Sequence, residues 1–227
     1  VYFRMSGRGS EPNLGKLAGS GTYAGEHTLV PGLVAGGDQA SSFSDGAGHE
    51  LTYDGASAIF GQYLPFTIEA WVKIPDPLEA ATLVLFGNGG DRVTLQITER
   101  QVSDGMDAFV FRIHNAAAQT RSVTVYLDLM DPPDQVHHVV AVYRQTARTA
   151  FDGAGVADDM VLYVDGALAS DEAGYAQISM PVVTGTLRVG AGFSGTLDEV
   201  AIYDRELSPA EVAEHYAIGI GDADCAL

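Results

Sequence analysis

The sequence predicts an all-β protein, two antiparallel sheets packed as a sandwich, with one short helix near the C-terminal end. Three observations carry that expectation. Apolar residues recur at every second position over many short runs, turn residues punctuate those runs at spacings near ten, and helical periodicity is confined to one stretch after residue 206. A length of 227 residues suits a single sandwich core, and 46% apolar residues with 27 glycines supply both an interior and its turns.

Residues 1–22 (VYFRMSGRGSEPNLGKLAGSGT) are rich in Gly and Ser and carry three cations, Arg4, Arg8 and Lys16. They read as an N-terminal arm rather than a core element. The sandwich domain is expected over 23–220, with a tail at 221–227. From about residue 38 onward period-two alternation sets in. Phe66, Ile68, Ala70 and Val72 fall on one face of a strand, Thr67, Glu69, Trp71 and Lys73 on the other, and Pro75-Asp76-Pro77 ends it.

Further strands are expected over 82–86, 92–98, 108–114, 122–129, 136–144, 160–164, 186–189 and 196–203. Asn88-Gly89-Gly90-Asp91 and Asp165-Gly166 are hairpin turns between them. The helix is expected over 207–216. Ser208 caps it, Pro209 takes the first helical position, Glu211 completes a capping box, Leu207 staples to Val212, and Gly219 stops it.

The charge is lopsided: 30 acidic residues against 12 basic ones, a formal charge of −18. Such a surface repels phosphate backbones and anionic headgroups, so nucleic acid and membrane surfaces are not expected partners. Hard cations, Ca²⁺ above all, are the natural small partners. The plainer account is a surface kept soluble by its carboxylates. No apolar run approaches the roughly 20 residues that a membrane span needs. Cys225 is the sole thiol, so no internal disulfide forms.

Four segments carry a family signal: FTIEAWVKI (66–74), VHHVVAVYR (136–144), MVLYVDGALAS (160–170) and TLRVGAGFSGTLDEVAIYDRELSPAEVAEHY (186–216). The last is the most specific, with an Asp-Glu pair in a strand, an aromatic, an Arg, then Leu-Ser-Pro and an amphipathic helix. ASSFSDG (40–46) matches the family's early strand apart from Ser44. Over residues 20–218 the chain resembles the laminin-G-like jelly rolls of the concanavalin A-like superfamily. The resemblance implies a jelly-roll sandwich, an extracellular or surface-displayed setting, and binding of glycans or proteins, often with Ca²⁺. Fold alone does not fix function.

A hydrolytic reading needs two carboxylates facing one cleft. Asp198 and Glu199 are adjacent, so regular strand geometry sends them to opposite faces, and His137 and His138 likewise diverge. No enzyme activity is expected. For Ca²⁺, two constellations compete. Asn88 and Asp91 occupy the turn that supplies ligands in the related pentraxins, although the matching second loop, between Gly192 and Gly195, holds no acid. Asp45 beside Asp198 is the other, and its rival reading is that both carboxylates accept backbone N–H groups and tie the sheet ends.

The acidic loop from Thr146 to Asp159 offers Phe151 as an apolar contact, with Asp152, Asp158 and Asp159 as hydroxyl or cation partners. A solvated hairpin extension is the plain alternative. Trp71, mid-strand, is expected in the core rather than as a sugar platform. The function expected is an extracellular recognition or adhesion module for glycan or protein surfaces, with calcium as an assisting ion. The alternative is a structural subunit, a homo-oligomer or filament assembled through residues 1–22, whose cations would meet the acidic body of a neighbour.

Overall fold

The computed structural model describes residues 1–36, 38–44, 48–58, 65–74, 80–88, 90–98, 108–127, 135–147, 156–176 and 183–222. In chain order these form β1 (Tyr2–Phe3), β2 (Ser10–Pro12), β3 (Ser20–Ala24), β4 (His27–Pro31), β5 (Gln39–Phe43) and β6 (Glu50–Tyr53). A 3₁₀ turn at Asp54–Ala58 precedes β7 (Phe66–Lys73), β8 (Ala81–Asn88), β9 (Asp91–Thr98), β10 (Ala108–His114) and β11 (Thr120–Tyr126). Then come β12 (Val136–Ala147), β13 (Val156–Val164), β14 (Ala167–Ala176), β15 (Leu187–Val189), β16 (Gly195–Tyr203) and the helix α1 (Pro209–Gly219).

Two antiparallel sheets result, as the alternation predicts. The first runs β14-β13-β12-β7-β16-β5-β4, with β1 also on β16, and the second runs β11-β10-β9-β8-β15-β6-β3-β2. Phe66, Ile68, Ala70 and Val72 of β7 meet Leu83, Phe86, Leu95, Phe109 and Phe111 of the facing sheet in one continuous core. Each such fully buried large side chain contributes about 1.5–3 kcal/mol by leaving water, which is why the alternation was so readable. Asp165 and Gly166 both take positive φ, 52° and 76°, as a two-residue hairpin turn between twisted strands requires.

Three features depart from the expected pattern. First, the segment expected as an arm is built into the body. Phe3 and Met5 are fully buried in the core, β1 pairs with β16, and β2 and β3 extend the second sheet. Two of its three cations meet carboxylates of the same chain, Arg4 with Asp38 at 3.1 Å and Lys16 with Asp204 at 3.9 Å, and Arg8 is exposed.

Second, β7 is buried on both faces, Thr67, Glu69 and Trp71 included. The cover is α1 and the segment before it. Leu207 and Val212 pack on Val140, Val142, Val161 and Tyr163 as a second, smaller core on the outer side of the first sheet. The capping box forms as expected, with Ser208 Oγ accepting from Glu211 N and Glu211 Oε2 accepting from Ser208 N.

Third, α1 ends on Gly219, but the glycine is not there to turn the chain. It is the last helical residue, and a Cβ there would come within 2.0 Å of Trp71 Cζ2. Glycine at 219 lets the helix backbone lie directly on the indole, and Gly221, at φ +75°, makes the left-handed exit instead.

Candidate functional site

The outer face of the first sheet is covered only in part, and the uncovered part is a cleft of about 540 Å³. Its floor is made by the outward side chains of β7 and β16: Glu69, Trp71, Ala201 and Tyr203. These fall together because Ala201 and Tyr203 pair in register with Glu69 and Thr67. One wall is α1, through His215 and Ile218, and another is made by Val34, Ala35, Gly36 and Asp38. Tyr2 and Arg4 of the N-terminal segment close the third side. The first two walls are tied by a hydrogen bond from Ala35 N to Gly219 O at 2.6 Å.

Glu69 lies at the bottom of the cleft, 5% exposed, and its carboxylate is fully engaged. His138 Nε2 lies 2.7 Å from Oε1, His215 Nδ1 lies 3.0 Å from the same oxygen, and the Tyr203 hydroxyl donates to Oε2 at 2.7 Å. Burial alone would raise the carboxyl, but these donors overcome it and hold the group down to about 2. The contact with Glu69 in turn raises His215, against the opposing effect of its burial. His138 is fully buried, stacked 4.8 Å from Trp71, and Trp71 is stacked in turn on Tyr216 of α1 at 5.9 Å. Trp71 is therefore buried, as expected, but against the helix and not between the sheets.

Glu199 reaches the same cleft by a different route. Asp198 pairs with Trp71 and Ala201 with Glu69, so Glu199 and Val200 together oppose the single residue Ala70. This is a β-bulge, and Glu199 carries it at φ +48°, the left-handed region in which a non-glycine residue is strained. The bulge sits where β16 exchanges neighbours, between its pairing with β5 at residues 195–197 and its pairing with β1 at residues 200–201. The extra residue overturns the expectation that Asp198 and Glu199 face opposite ways. Leu197 and Val200 point into the core, while Asp198 is turned to Leu33 and Glu199 to Tyr2, both on the outer side.

The Tyr2 hydroxyl donates to Glu199 Oε2, and burial raises the Glu199 carboxyl despite that bond. Asp198 is wholly buried; its Oδ2 accepts from Leu33 N at 2.8 Å and its Oδ1 from Glu199 N at 3.0 Å. Burial outweighs these two bonds and pushes its carboxyl up to about 7.

The residues singled out from the sequence are scattered. Asp45, Phe151, Asp152 and Cys225 lie outside the described residues. Asn88 and Asp91 pair at the end of the β8–β9 hairpin, and Asp91 Oδ1 accepts from Ala116 N at 2.9 Å. Asp158 and Asp159 belong to the β12–β13 ladder, opposite Gln145 and Arg144, rather than to a loop. Asp159 is buried, with Oδ2 3.5 Å from Arg144 Nε. Asp91 and Asp198 are thus already engaged by backbone N–H groups on different sheets. Among the described residues no three His, Cys, Asp or Glu side chains are arranged to hold an ion. His137 and His138 do diverge, the first to Phe109 and Asp165, the second to Glu69.

Sequence reasoning passed over Glu69, Glu199, Tyr2 and His215 as site residues. One signal was available for Glu69: a carboxylate in the most apolar strand of the chain needs partners to be buried. None was available for Glu199, whose direction depends on the bulge.

The sequence profile of the concanavalin A-like lectin/glucanase superfamily matches residues 45–213. The chain belongs to that superfamily. No curated protein sequence matches this superfamily member. Among solved structures, its fold is similar to the receptor-binding domain of botulinum neurotoxin type G, with a TM-score of 0.67, 12% identity, and coverage of 96% of this chain and 50% of that one. A type C structure, described as showing cell entry dependent upon interaction with two ganglioside molecules, gives a TM-score of 0.71 at 12% identity, covering 95% and 50%. The type DC binding domain in complex with rat synaptotagmin II gives 0.69 at 12% identity, covering 95% and 50%. The superfamily domain thus spans about half the length of these chains and shares their jelly-roll sandwich.

Proposed function

We propose that this chain is an extracellular or surface-displayed recognition module, without catalytic activity, that binds a glycan or protein surface through the cleft over β7 and β16. The observation that carries the reading is the cleft itself. It is concave, of ordinary ligand-site size, and combines aromatic side chains at Tyr2 and Tyr203 with a convergent set of hydrogen-bonding groups. Rings of hydroxyls with one apolar face suit such a lining, which favours a glycan. The glycan and protein partners named for the botulinum domains of the same fold support the reading. Among the described residues no helix is long and apolar enough to cross a bilayer.

The structural-subunit reading is the second one: Phe3 and Met5 of residues 1–22 are committed to this chain's core, while Arg8 and Leu14 stay exposed for a neighbouring copy. Calcium belongs to the proposal on the strength of the acidic surplus, and a lower melting temperature on chelation is its test.

The experiment is binding to an array of immobilised oligosaccharides by the monomeric fraction from size-exclusion chromatography, with Ile218→Trp as the control. Ile218 is 46% exposed at the rim of the cleft, so the larger side chain obstructs the opening without entering the core. Binding that falls at least tenfold in the variant supports the reading. Binding unchanged in the variant, or no saccharide bound by the wild type, overturns the cleft as the glycan site.

A further inference from the structure

The cleft holds more charge than neutral sugar recognition needs, and the charges do not balance. Arg4 pairs with Asp38 at 3.1 Å and also lowers the Glu199 carboxyl from further off, so one guanidinium serves two carboxylates, while His215 is engaged by Glu69 at 3.0 Å. That leaves Glu199 short of counter-charge. Its carboxylate has a single neutral donor, the Tyr2 hydroxyl, on Oε2, and no cation within ion-pair distance among the described residues. The backbone holds it in place at the cost of a left-handed conformation on a non-glycine residue. Tyr2 and Tyr203 flank it along the same cleft, and ring faces beside a carboxylate add to the attraction for a positive group.

We infer that the cleft selects a saccharide bearing one positive charge, an amino sugar with a free ammonium group, which pairs with Glu199 while its ring lies along the tyrosines. This rests on the glycan reading above and narrows it to a ligand class. A half-buried carboxylate short of counter-charge gains more from an ammonium than from a hydroxyl, because the charged form is the one that burial penalises. By the same argument a carboxylated saccharide is repelled, with Glu199, Glu69 and Asp38 all lining the one opening.

The test is calorimetric titration with three probes: the fully deacetylated oligomer of glucosamine, its N-acetylated counterpart of equal length, and sialyllactose. The expected order is deacetylated tighter than acetylated by at least tenfold, with no heat from sialyllactose. The preference should shrink as ionic strength rises and vanish in Glu199→Gln, whose amide keeps the tyrosine contact and removes the charge. A melting curve for the variant that overlays the wild type certifies its fold, and the salt series on the wild type decides the question if it does not.

Equal affinity for the two oligomers overturns the charge selection and leaves the glycan reading standing. A preference that survives in Glu199→Gln, or that ignores salt, also overturns it. Failure of all three probes removes the ligand class together with any amino-sugar form of the glycan reading, while the oligosaccharide array continues to test other sugars.

Discussion

His215 on α1 and Glu69 on β7, 146 positions apart in the chain, meet at 3.0 Å beneath the cleft. The contact fastens the only α-helix of the described residues to the strand at the centre of the first sheet. Replacing Glu69 with Gln leaves one acceptor where two histidines and a tyrosine converge, and turns an amide N–H₂ toward groups that need an acceptor. The expected loss is about 3 kcal/mol, the scale of a buried charged hydrogen-bond network with one member removed. Urea unfolding of Glu69→Gln measures it, and a change below about 0.5 kcal/mol would show the network to be dispensable.

The same network sets a pH response. Glu69 is held near 2 against an ordinary 4.5, so its contribution is complete above 4.5 and is lost as pH falls through 2. His215 is raised above 6.5, so its contribution is complete below 6.5 and is lost as pH climbs through its folded value. Asp198 works in the other direction from Glu69. Its carboxyl is raised from 3.8 to about 7, so the fold favours the neutral acid, and stability declines as pH rises across that interval. The decline attributable to Asp198 is on the order of 4 kcal/mol. Melting temperature against pH for the wild type and Asp198→Asn should show a slope between pH 4 and 7 that the variant flattens; parallel curves would refute the assignment.

Phe3 is fully buried and meets Tyr53 edge to face, with ring centroids 5.5 Å apart. Phe3→Ala should cost about 3–5 kcal/mol, and it should free the first residues for proteolysis because β1 would then be held by its hydrogen bonds and by Met5 without the buried ring. Limited proteolysis read by mass spectrometry reports this. Resistance equal to the wild type would mean that β1 pairing, rather than the buried ring, holds the segment.

Gly219→Ala forces a methyl into the space of the indole of Trp71, 2.0 Å from Cζ2. Overpacking of this kind costs about 1–3 kcal/mol. Trp71 is the sole tryptophan, so its emission reports directly on whether the helix lifts. Emission and stability both unchanged would show that the close approach is not maintained in solution.

The sandwich was legible because its signal is repetitive: Phe66, Ile68, Ala70 and Val72 state the same two-residue period that β9, β10 and β12 repeat. Ser208, Pro209 and Glu211 announced the helix by local chemistry alone. The cleft was not legible, for two physical reasons. Parity along a strand tells which face a side chain takes only while the ladder is regular, and at Glu199 it is not. Composition reports that residues 1–22 are flexible when isolated, but not that Phe3 and Met5 fill a slot left between the sheets. Glu69 stood between these cases, visible as an anomaly within FTIEAWVKI yet without a partner until residues 138, 203 and 215 were brought beside it.

Glu199 is supernumerary to the sandwich. A chain lacking that one position would keep Asp198 opposite Trp71, set Val200 squarely against Ala70, and leave every later pairing of β16 intact. Such a shortened protein would retain its architecture and lose the acid from its cleft, so the sandwich and the charge over it rest on separable stretches of backbone.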